Sequence, residues 1–174
     1  IETNSGITRK LPPIQDEQDP PPLKERNIFI VLINSNGGLL VEDEPMDLKN
    51  LKQAAIQFLD NGGGKGDEAC NYCKGAKDPS SSDNPVKAVI SLQNNRLTKY
   101  SDYIAVQNEL VAAYNELRDR EAKRLFGVTF QEMEEAFKSE SYTGDKDKLK
   151  ERIQQIKDMY PQKLSEAEPK RTSR

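Results

Sequence analysis

The stretch VISLQNNRLTKYSDYIAVQNELVAAYNEL, residues 89–117, decides the fold, because it joins an apolar strand to a long helix through a polar turn. The apolar run over 87–92 predicts a buried strand. Beyond the turn, apolar residues recur every three or four positions, which predicts an amphipathic helix over 102–123. Ser101 is placed to cap that helix, with Asp102 in its first turn.

The polar turn, residues 93–96, admits two interpretations. In α/β enzymes, polar side chains between a strand and a helix often belong to a catalytic or phosphate-binding site. Asn also tolerates left-handed backbone angles and bonds its own backbone, so the same residues can simply turn the chain. We adopt the second interpretation and predict a structural turn.

The segment that opens the folded region predicts a hairpin followed by a helix. The continuous apolar run IFIVLI predicts a strand over 27–33 that is covered on both faces. An Asn-Gly turn follows, and the chain returns in a short strand over 39–42. The apolar residues of 48–59 fall on one helical face, and the Asn-Gly-Gly-Gly run at 61–64 ends that helix.

A second helical block, residues 126–159, follows the long helix. Thr129 and Glu132 have the spacing of a capping box, in which each residue bonds the backbone of the other. A further helix begins at Asp145 or Asp147 and ends before a proline. These helices have no counterpart in a minimal domain, so we interpret them as an insertion.

The pattern as a whole predicts an α+β domain over 27–169. It has a small mixed β-sheet with two main helices packed on one face, and inserted helices before a last edge strand at 163–167. Residues 60–85 are too long for an ordinary connection and form a second insertion. Residues 1–26 contain five prolines and few large apolar residues, so they predict an extended linker, and 170–174 are a charged tail.

Composition argues against several classes of function. The net charge is −3 and no basic face is clustered, which argues against a nucleic-acid partner. Without histidine there is no Ser-His-Asp or Cys-His arrangement and no histidine metal ligand. No apolar run reaches the length of a membrane span. We therefore expect a protein that is not an enzyme and has no cofactor or bound metal.

Two motifs within the 60–85 insertion resemble functional sites, one a phosphate-binding loop and the other a metal-binding or redox cysteine pair. The glycine run at 62–66 lacks the spacing of a phosphate-binding loop and follows a helix instead of a strand. Cys70 and Cys73 form a lone C-x-x-C pair. They fit a disulfide or free thiol pair without a catalytic role, a zinc site shared across a symmetric dimer, or a redox pair.

The order of elements resembles a known family. The hairpin before the first helix, the strand VISL leading through NNRLTKY into a helix, and the terminal edge strand resemble the periplasmic domain of the ExbD/TolR biopolymer transport proteins. The longer Bacteroidetes-type members are most similar, through the stretches AVQNELVAAYNELRD and YPQKLSEAEP. The resemblance covers residues 27–125 and 160–169. The two insertions depart from the short members.

The resemblance implies a role in a proton-driven motor of the inner membrane. Such proteins carry one transmembrane helix with a proton-coupling aspartate, and they work as homodimers inside a ring of ExbB- or TolQ-like subunits. They energise outer-membrane transport through a TonB-like protein. Because this chain opens with Ile1 and not Met, we expect the helix upstream and this region in the periplasm. TolR-like members suggest an alternative, a peptidoglycan-binding module for envelope integrity.

The resemblance also suggests where partners bind. The linker of the family carries a plug motif, aliphatic-x-aliphatic-x-Leu-Pro, which Ile7, Leu11 and Pro12 match and Arg9 does not. The edge strand offers unpaired backbone groups on which a second copy or a TonB-like segment could add. Its residues are Lys163, Leu164, Ser165, Glu166 and Ala167. In the family an aspartate often opens the polar turn, whereas this chain has Asn95, which cannot act as a base.

Overall fold

A computed structural model describes residues 22–166 and the backbone of residues 171–172. Its strands are β1 (Leu23–Lys24), β2 (Ile28–Ile33), β3 (Leu39–Val41), β4 (Glu44–Met46), β5 (Val89–Asn94), β6 (Leu164–Ser165) and β7 (Arg171–Thr172). Its α-helices are α1 (Leu48–Leu59), α2 (Tyr100–Phe126), α3 (Phe130–Lys138) and α4 (Lys146–Met159).

The main sheet has five strands in the order β4-β3-β2-β5-β6. The central strand β2 pairs antiparallel with β3 and parallel with β5, and β6 adds to β5 in parallel. The strands β1 and β7 form a separate parallel pair. The α+β prediction with a mixed sheet is confirmed. The sequence pattern missed β4, because Pro45 within it is typical of a turn and is tolerated only in an edge strand.

The main core lies between one face of this sheet and the helices α1 and α2. Successive side chains of a strand point to opposite faces, so Phe29, Val31 and Ile33 of β2 share the face that the helices cover. The helix α1 has the predicted bounds, and α2 begins two residues earlier and ends three residues later than predicted. Buried residues of the two helices fill this layer, namely Leu51, Ala55, Phe58, Leu59, Val106, Leu110, Ala113, Tyr114 and Leu117.

The polar turn between β5 and α2 binds the chain to the neighbouring hairpin. The Asn95 side-chain oxygen accepts a hydrogen bond from the Leu97 N–H at 2.8 Å, and the Asn95 N–H donates to the Ile33 carbonyl at 2.9 Å. The Thr98 hydroxyl donates to the same carbonyl at 3.3 Å. These bonds give the turn the structural role that we predicted. The carbonyl of Lys99 accepts the first helical bonds, so the prediction of Ser101 as the cap is wrong.

The helical insertion forms a small second core on the C-terminal half of α2. Ala122 of α2 packs with buried residues of α3 and α4, and this cluster contains no strand residue. The capping box of Thr129 and Glu132 is present as predicted. Asp145 caps α4 by accepting two backbone hydrogen bonds, which decides between the two predicted starts. The inserted helices therefore extend the helical layer and leave the second face of the sheet to other contacts.

We predict that Leu110→Ala destabilises the fold by about 2–5 kcal/mol, because Leu110 is fully buried between α2 and the sheet and its truncation leaves a cavity. Leu97→Ala is the matched control. Leu97 is 73% exposed, so its truncation changes the unfolding free energy by no more than about 0.5 kcal/mol. Urea denaturation measures both values. Equal effects of the two substitutions would contradict the assignment of the core.

Candidate partner-binding edge and a buried polar hub

The strand β6 forms one edge of the main sheet, as the sequence predicted, but it is shorter. Its pairing with β5 covers only Leu164 and Ser165, which lie opposite Ile90 and Ser91. The Ile90 N–H donates to the carbonyl of Lys163 at 2.9 Å. Because backbone groups alternate in direction along a parallel ladder, the N–H and C=O of Leu164 point away from β5. Leu164 is thus the position at which an added strand would bond.

The residues on either side of β6 hold it against the helical layer. The Lys163 N–H donates to the hydroxyl of buried Tyr114 at 3.2 Å, and the Lys163 ammonium donates to the Val86 carbonyl. The side chain of Glu166 accepts a hydrogen bond from the Tyr103 hydroxyl. The charged side chains of Lys163 and Glu166 thus make contacts within the chain. The part of the predicted binding strand that a partner would bind is therefore the backbone of Leu164.

The opposite edge of the sheet, β4, is less suited to strand addition. Pro45 lies in the middle of its three residues and provides no N–H group. Glu42 and Asp43, which precede β4, have positive φ angles of 50° and 67° and form the tight turn that brings β4 back antiparallel to β3. Proline is a typical device that protects a sheet edge from further pairing. The two edges therefore differ, and β6 is the more accessible to a partner strand.

The second face of the sheet is only partly covered. Ile30 and Leu32 of β2 point to this face and are partly buried, and Leu40, which pairs with Leu32, is 38% exposed. Val89 of β5 lies on the same face and is also partly exposed. Apolar side chains on an open sheet face favour contact with another surface. The prediction that helices α1 and α2 cover only one side of the sheet is confirmed.

Behind β6 lies a cluster of charged and phenolic groups, which we call the polar hub: Asp60, Arg120, Glu121, Arg124 and Tyr160. Asp60, Glu121 and Tyr160 are buried, whereas the two arginines are partly exposed. The Arg120 guanidinium donates to both carboxylate oxygens of Asp60, at 2.7 and 3.1 Å. The Tyr160 hydroxyl donates to the same carboxylate at 2.6 Å. Glu121 is fully buried and accepts from Arg120 and Arg124. Two carboxylates thus face two guanidinium groups, so the hub is formally neutral.

The hub joins segments that are distant in the sequence. Asp60 ends α1, the two arginines and Glu121 lie on α2, and Tyr160 ends α4. Arg118 adds a further tie, since its guanidinium donates twice to the Tyr160 carbonyl, at 3.0 and 2.9 Å. Tyr160 is therefore fixed by both its side chain and its backbone. Because β6 begins four residues later, the hub sets where the edge strand enters the sheet.

Cys70 and Cys73 form a disulfide beside the hub. Among the three interpretations of this pair, the bonded sulfurs exclude a free thiol pair and a shared zinc site in this structure. Within the described part of the chain, no group of acidic or cysteine side chains is arranged to hold a metal ion. The disulfide closes a four-residue loop that contains Tyr72, whose hydroxyl donates to the Met159 carbonyl at 2.7 Å.

The glycine run before this disulfide is used for packing within the chain. The Gly63 and Gly64 amides donate to the carbonyls of Ser82 and Asp83 at 2.9 Å each. A Cβ atom on Gly63 would lie 2.3 Å from the Asp78 carbonyl oxygen, so no larger residue fits there. Amides that are bonded internally cannot bind a phosphate, which agrees with the rejection of a nucleotide site.

The phenols around the hub are held in the protonated form. Burial, together with the negative charges of Glu121 and Asp60, raises the pKa of Tyr72 to about 12. Burial and the hydrogen bond to Asp60 raise the pKa of Tyr160 further. For Arg120, burial lowers the pKa, but the hydrogen bond to Asp60 outweighs it, and the pKa rises above its ordinary value. At neutral pH neither phenol can act as a base, so the hub has the properties of a structural network.

The structure tests only part of the predicted binding set. Ile7, Leu11, Pro12 and Ala167 lie outside the described residues. Sequence reasoning missed the hub entirely. Two of its α2 residues, Arg120 and Glu121, belong to the charged run Arg118-Asp119-Arg120-Glu121. Such a run is ordinarily typical of a solvated helix face, whereas Arg118 and Glu121 are buried.

No model of a known protein family matches this chain, and no curated protein sequence is significantly similar to it. Among the described residues, no helix is long and apolar enough to cross a membrane.

We predict that the domain loses stability as the pH rises from about 10 to about 12. Burial raises the pKa of Tyr114 from 10.0 to about 12, although the Lys163 amide and the charge of Arg118 lower it. A raised folded-state pKa stabilises the protein fully below the unfolded-state value, and this stabilisation is lost as the pH rises through the folded-state value.

Tyr114→Phe keeps the ring and removes the titrating hydroxyl. We expect the pH dependence of the unfolding free energy in this window to decrease by up to about 1.4 kcal/mol per pH unit, which corresponds to one proton. Urea titrations at pH 9, 10, 11 and 12 measure the slope. An unchanged slope would show that Tyr114 ionises equally in the folded and unfolded chains.

Proposed function

We propose that this chain is the periplasmic part of a proton-motive-force-driven inner-membrane motor of the ExbB–ExbD or TolQ–TolR type. In this proposal it is not an enzyme, and it transmits force to outer-membrane transport through a TonB-like protein. An N-terminal helix upstream of these residues anchors it in the inner membrane. A homodimer of the chain works with ExbB- or TolQ-like channel subunits.

The observation that carries the proposal is the asymmetry of the sheet edges. One edge is blocked by Pro45, whereas the other ends in Leu164, whose backbone groups point outward. Strand addition requires only unpaired N–H and C=O groups and accepts extended peptides with little demand on their side chains. The element order agrees with the resemblance noted in the sequence, and the partly open apolar face offers a second surface for a partner copy.

The homodimer is expected to be weak without the membrane anchor. Two chains held in one membrane gain an effective concentration that free domains in solution lack. Apolar residues of the second face, Ile30, Leu32 and Leu40, supply the area for association, and the β6 edge supplies directional hydrogen bonds. A peptidoglycan-binding role is the alternative, and it would leave both features unused.

We predict that Leu164→Pro weakens self-association at least tenfold, because proline removes an outward-pointing N–H from the edge. Leu164→Ala is the matched control, since it shortens the side chain in the same way and keeps the N–H. Sedimentation velocity over rising concentration, from micromolar to millimolar, measures the dimer constant. A strict monomer at millimolar concentration would contradict the homodimer.

A binding assay with purified peptidoglycan separates the two functions. Under the motor proposal, the chain does not co-sediment with peptidoglycan sacculi, and Leu164→Pro has no effect in this assay. If the wild-type chain and the Leu164→Pro variant both co-sediment with the sacculi, and the wild-type chain is monomeric in solution, the envelope-integrity alternative is favoured over the motor.

A further inference from the structure

The Cys70–Cys73 disulfide lies next to the element that positions the edge strand. Both cysteines are buried, at 5% and 6% exposure, and Gly62 packs against them: a Cβ there would lie 2.8 Å from that of Cys73. A disulfide that closes so short a loop removes relatively little chain entropy from the unfolded state. Its main effect is therefore to restrict the two enclosed residues, Asn71 and Tyr72.

Tyr72 makes two contacts with the end of α4 and one with α2. Its hydroxyl donates to the Met159 carbonyl at 2.7 Å, and its ring meets that of Tyr160 edge to face, with centroids 5.5 Å apart. Its own carbonyl accepts from Arg120 at 3.4 Å. Lys74, the residue that follows Cys73, donates its N–H to the Asp60 carboxylate at 3.2 Å. Residues 72–74 therefore contact the end of α4, Arg120 on α2, and Asp60 at the end of α1.

We propose that the Cys70–Cys73 disulfide is a redox-sensitive clasp that controls the order of the β6 edge. In the oxidised chain, the closed loop holds Tyr72 against Met159 and Tyr160, and Tyr160 directs the chain through Pro161 into β6. In the reduced chain, residues 70–73 lose the cross-link, Tyr72 leaves the end of α4, and the two-residue strand detaches from β5 while the main core stays folded.

The reducing step requires a dithiol. One thiolate of the dithiol attacks a cysteine sulfur, the Cys70–Cys73 bond breaks, and a mixed disulfide forms with the departing cysteine as thiolate. The second thiolate of the dithiol then displaces the attacked cysteine. Two electrons and two protons pass to the protein, which ends with two thiols, and the dithiol ends as its own disulfide. Because both cysteines are buried, the attack requires local opening of the loop.

The short length of β6 makes it the element that responds. Only two residues pair with β5, so few backbone bonds resist local opening. The central strand β2 pairs over six positions with β5 and is packed beneath two helices, so it opens only with the whole domain. A change at the disulfide can therefore alter the edge and leave the core unchanged.

Amide hydrogen exchange measured by mass spectrometry tests the clasp. The samples are the oxidised chain, the chain reduced with dithiothreitol, the C70S/C73S double variant, and Tyr72→Phe, which keeps the disulfide but loses the bond to Met159. We expect exchange of residues 162–165 to increase about tenfold in the last three samples, with that of β2 unchanged. Tyr100→Phe, which alters an exposed tyrosine, should match the oxidised chain.

Three outcomes would overturn the clasp. In the first, residues 162–165 of the reduced chain exchange as slowly as in the oxidised chain while residues 70–75 exchange faster. The disulfide would then stabilise only its own loop. In the second, residues 162–165 and β2 open together after reduction, so the disulfide acts on global stability. In the third, Tyr72→Phe leaves residues 162–165 unaffected, so the Tyr72 hydroxyl does not carry the coupling. None of these measurements depends on a partner protein, so the clasp can fail without the motor proposal failing.

Discussion

The ion pair between Asp60 and Arg120 is the interaction on which the rest of the structure depends. The Asp60 side chain is 6% exposed and that of Glu121 is fully buried, so both carboxylates lack most of their hydration. Removing one partner of a buried pair leaves an uncompensated charge, at a cost of about 3–5 kcal/mol. Arg120 neutralises one carboxylate in a two-pronged contact and shares the other with Arg124. Its position on α2 is therefore what allows α1, the disulfide loop and α4 to meet.

The hub also separates the rigid and adaptable parts of the domain. On one side, β2 and β5 are fixed by α1 and α2 through a continuous apolar core. On the other side, the two-residue strand β6 follows Tyr160 and Pro161 and pairs with β5 at only two positions. Binding surfaces are commonly positioned by a rigid scaffold and made from its less stable elements. The proposed partner-binding edge has this arrangement, because the backbone groups of Leu164 point away from β5, while the chain that leads into β6 contacts the polar hub through Tyr160.

The sequence predicted the elements well where local patterns determine them. The helix at Leu48–Leu59 and the capping box at Thr129 follow from spacing within a few residues, and the structure confirms both. The bounds of β5 shifted by two residues, because pairing with β2 and not local hydrophobicity sets where the strand ends. The fold class followed from the order of these elements.

The hub could not be predicted, because its contacts join residues 60 and 100 positions apart. Charged residues on a helix are usually solvated, and no local signal marks Glu121 as the exception. The edge strand was predicted in place but not in length, because its length is set by its pairing with β5 and not by its local sequence. The C-x-x-C pair allowed several interpretations, of which a disulfide was one. The sequence could not choose among them, because the choice depends on the distance between the two sulfur atoms in the folded chain.

A double-mutant cycle on Asp60→Ala and Arg120→Ala tests most directly whether the hub organises the domain. The unfolding free energies of the wild type, both single variants and the double variant give the coupling energy. We expect a coupling of at least about 1.5 kcal/mol, because Arg120→Ala leaves the buried Asp60 carboxylate without this cationic partner. The exposed pair Lys52–Glu116, with a separation of 3.4 Å, is the reference and should couple by less than about 1 kcal/mol. A coupling between Asp60 and Arg120 no larger than that of the reference pair would show that the hub does not organise the domain.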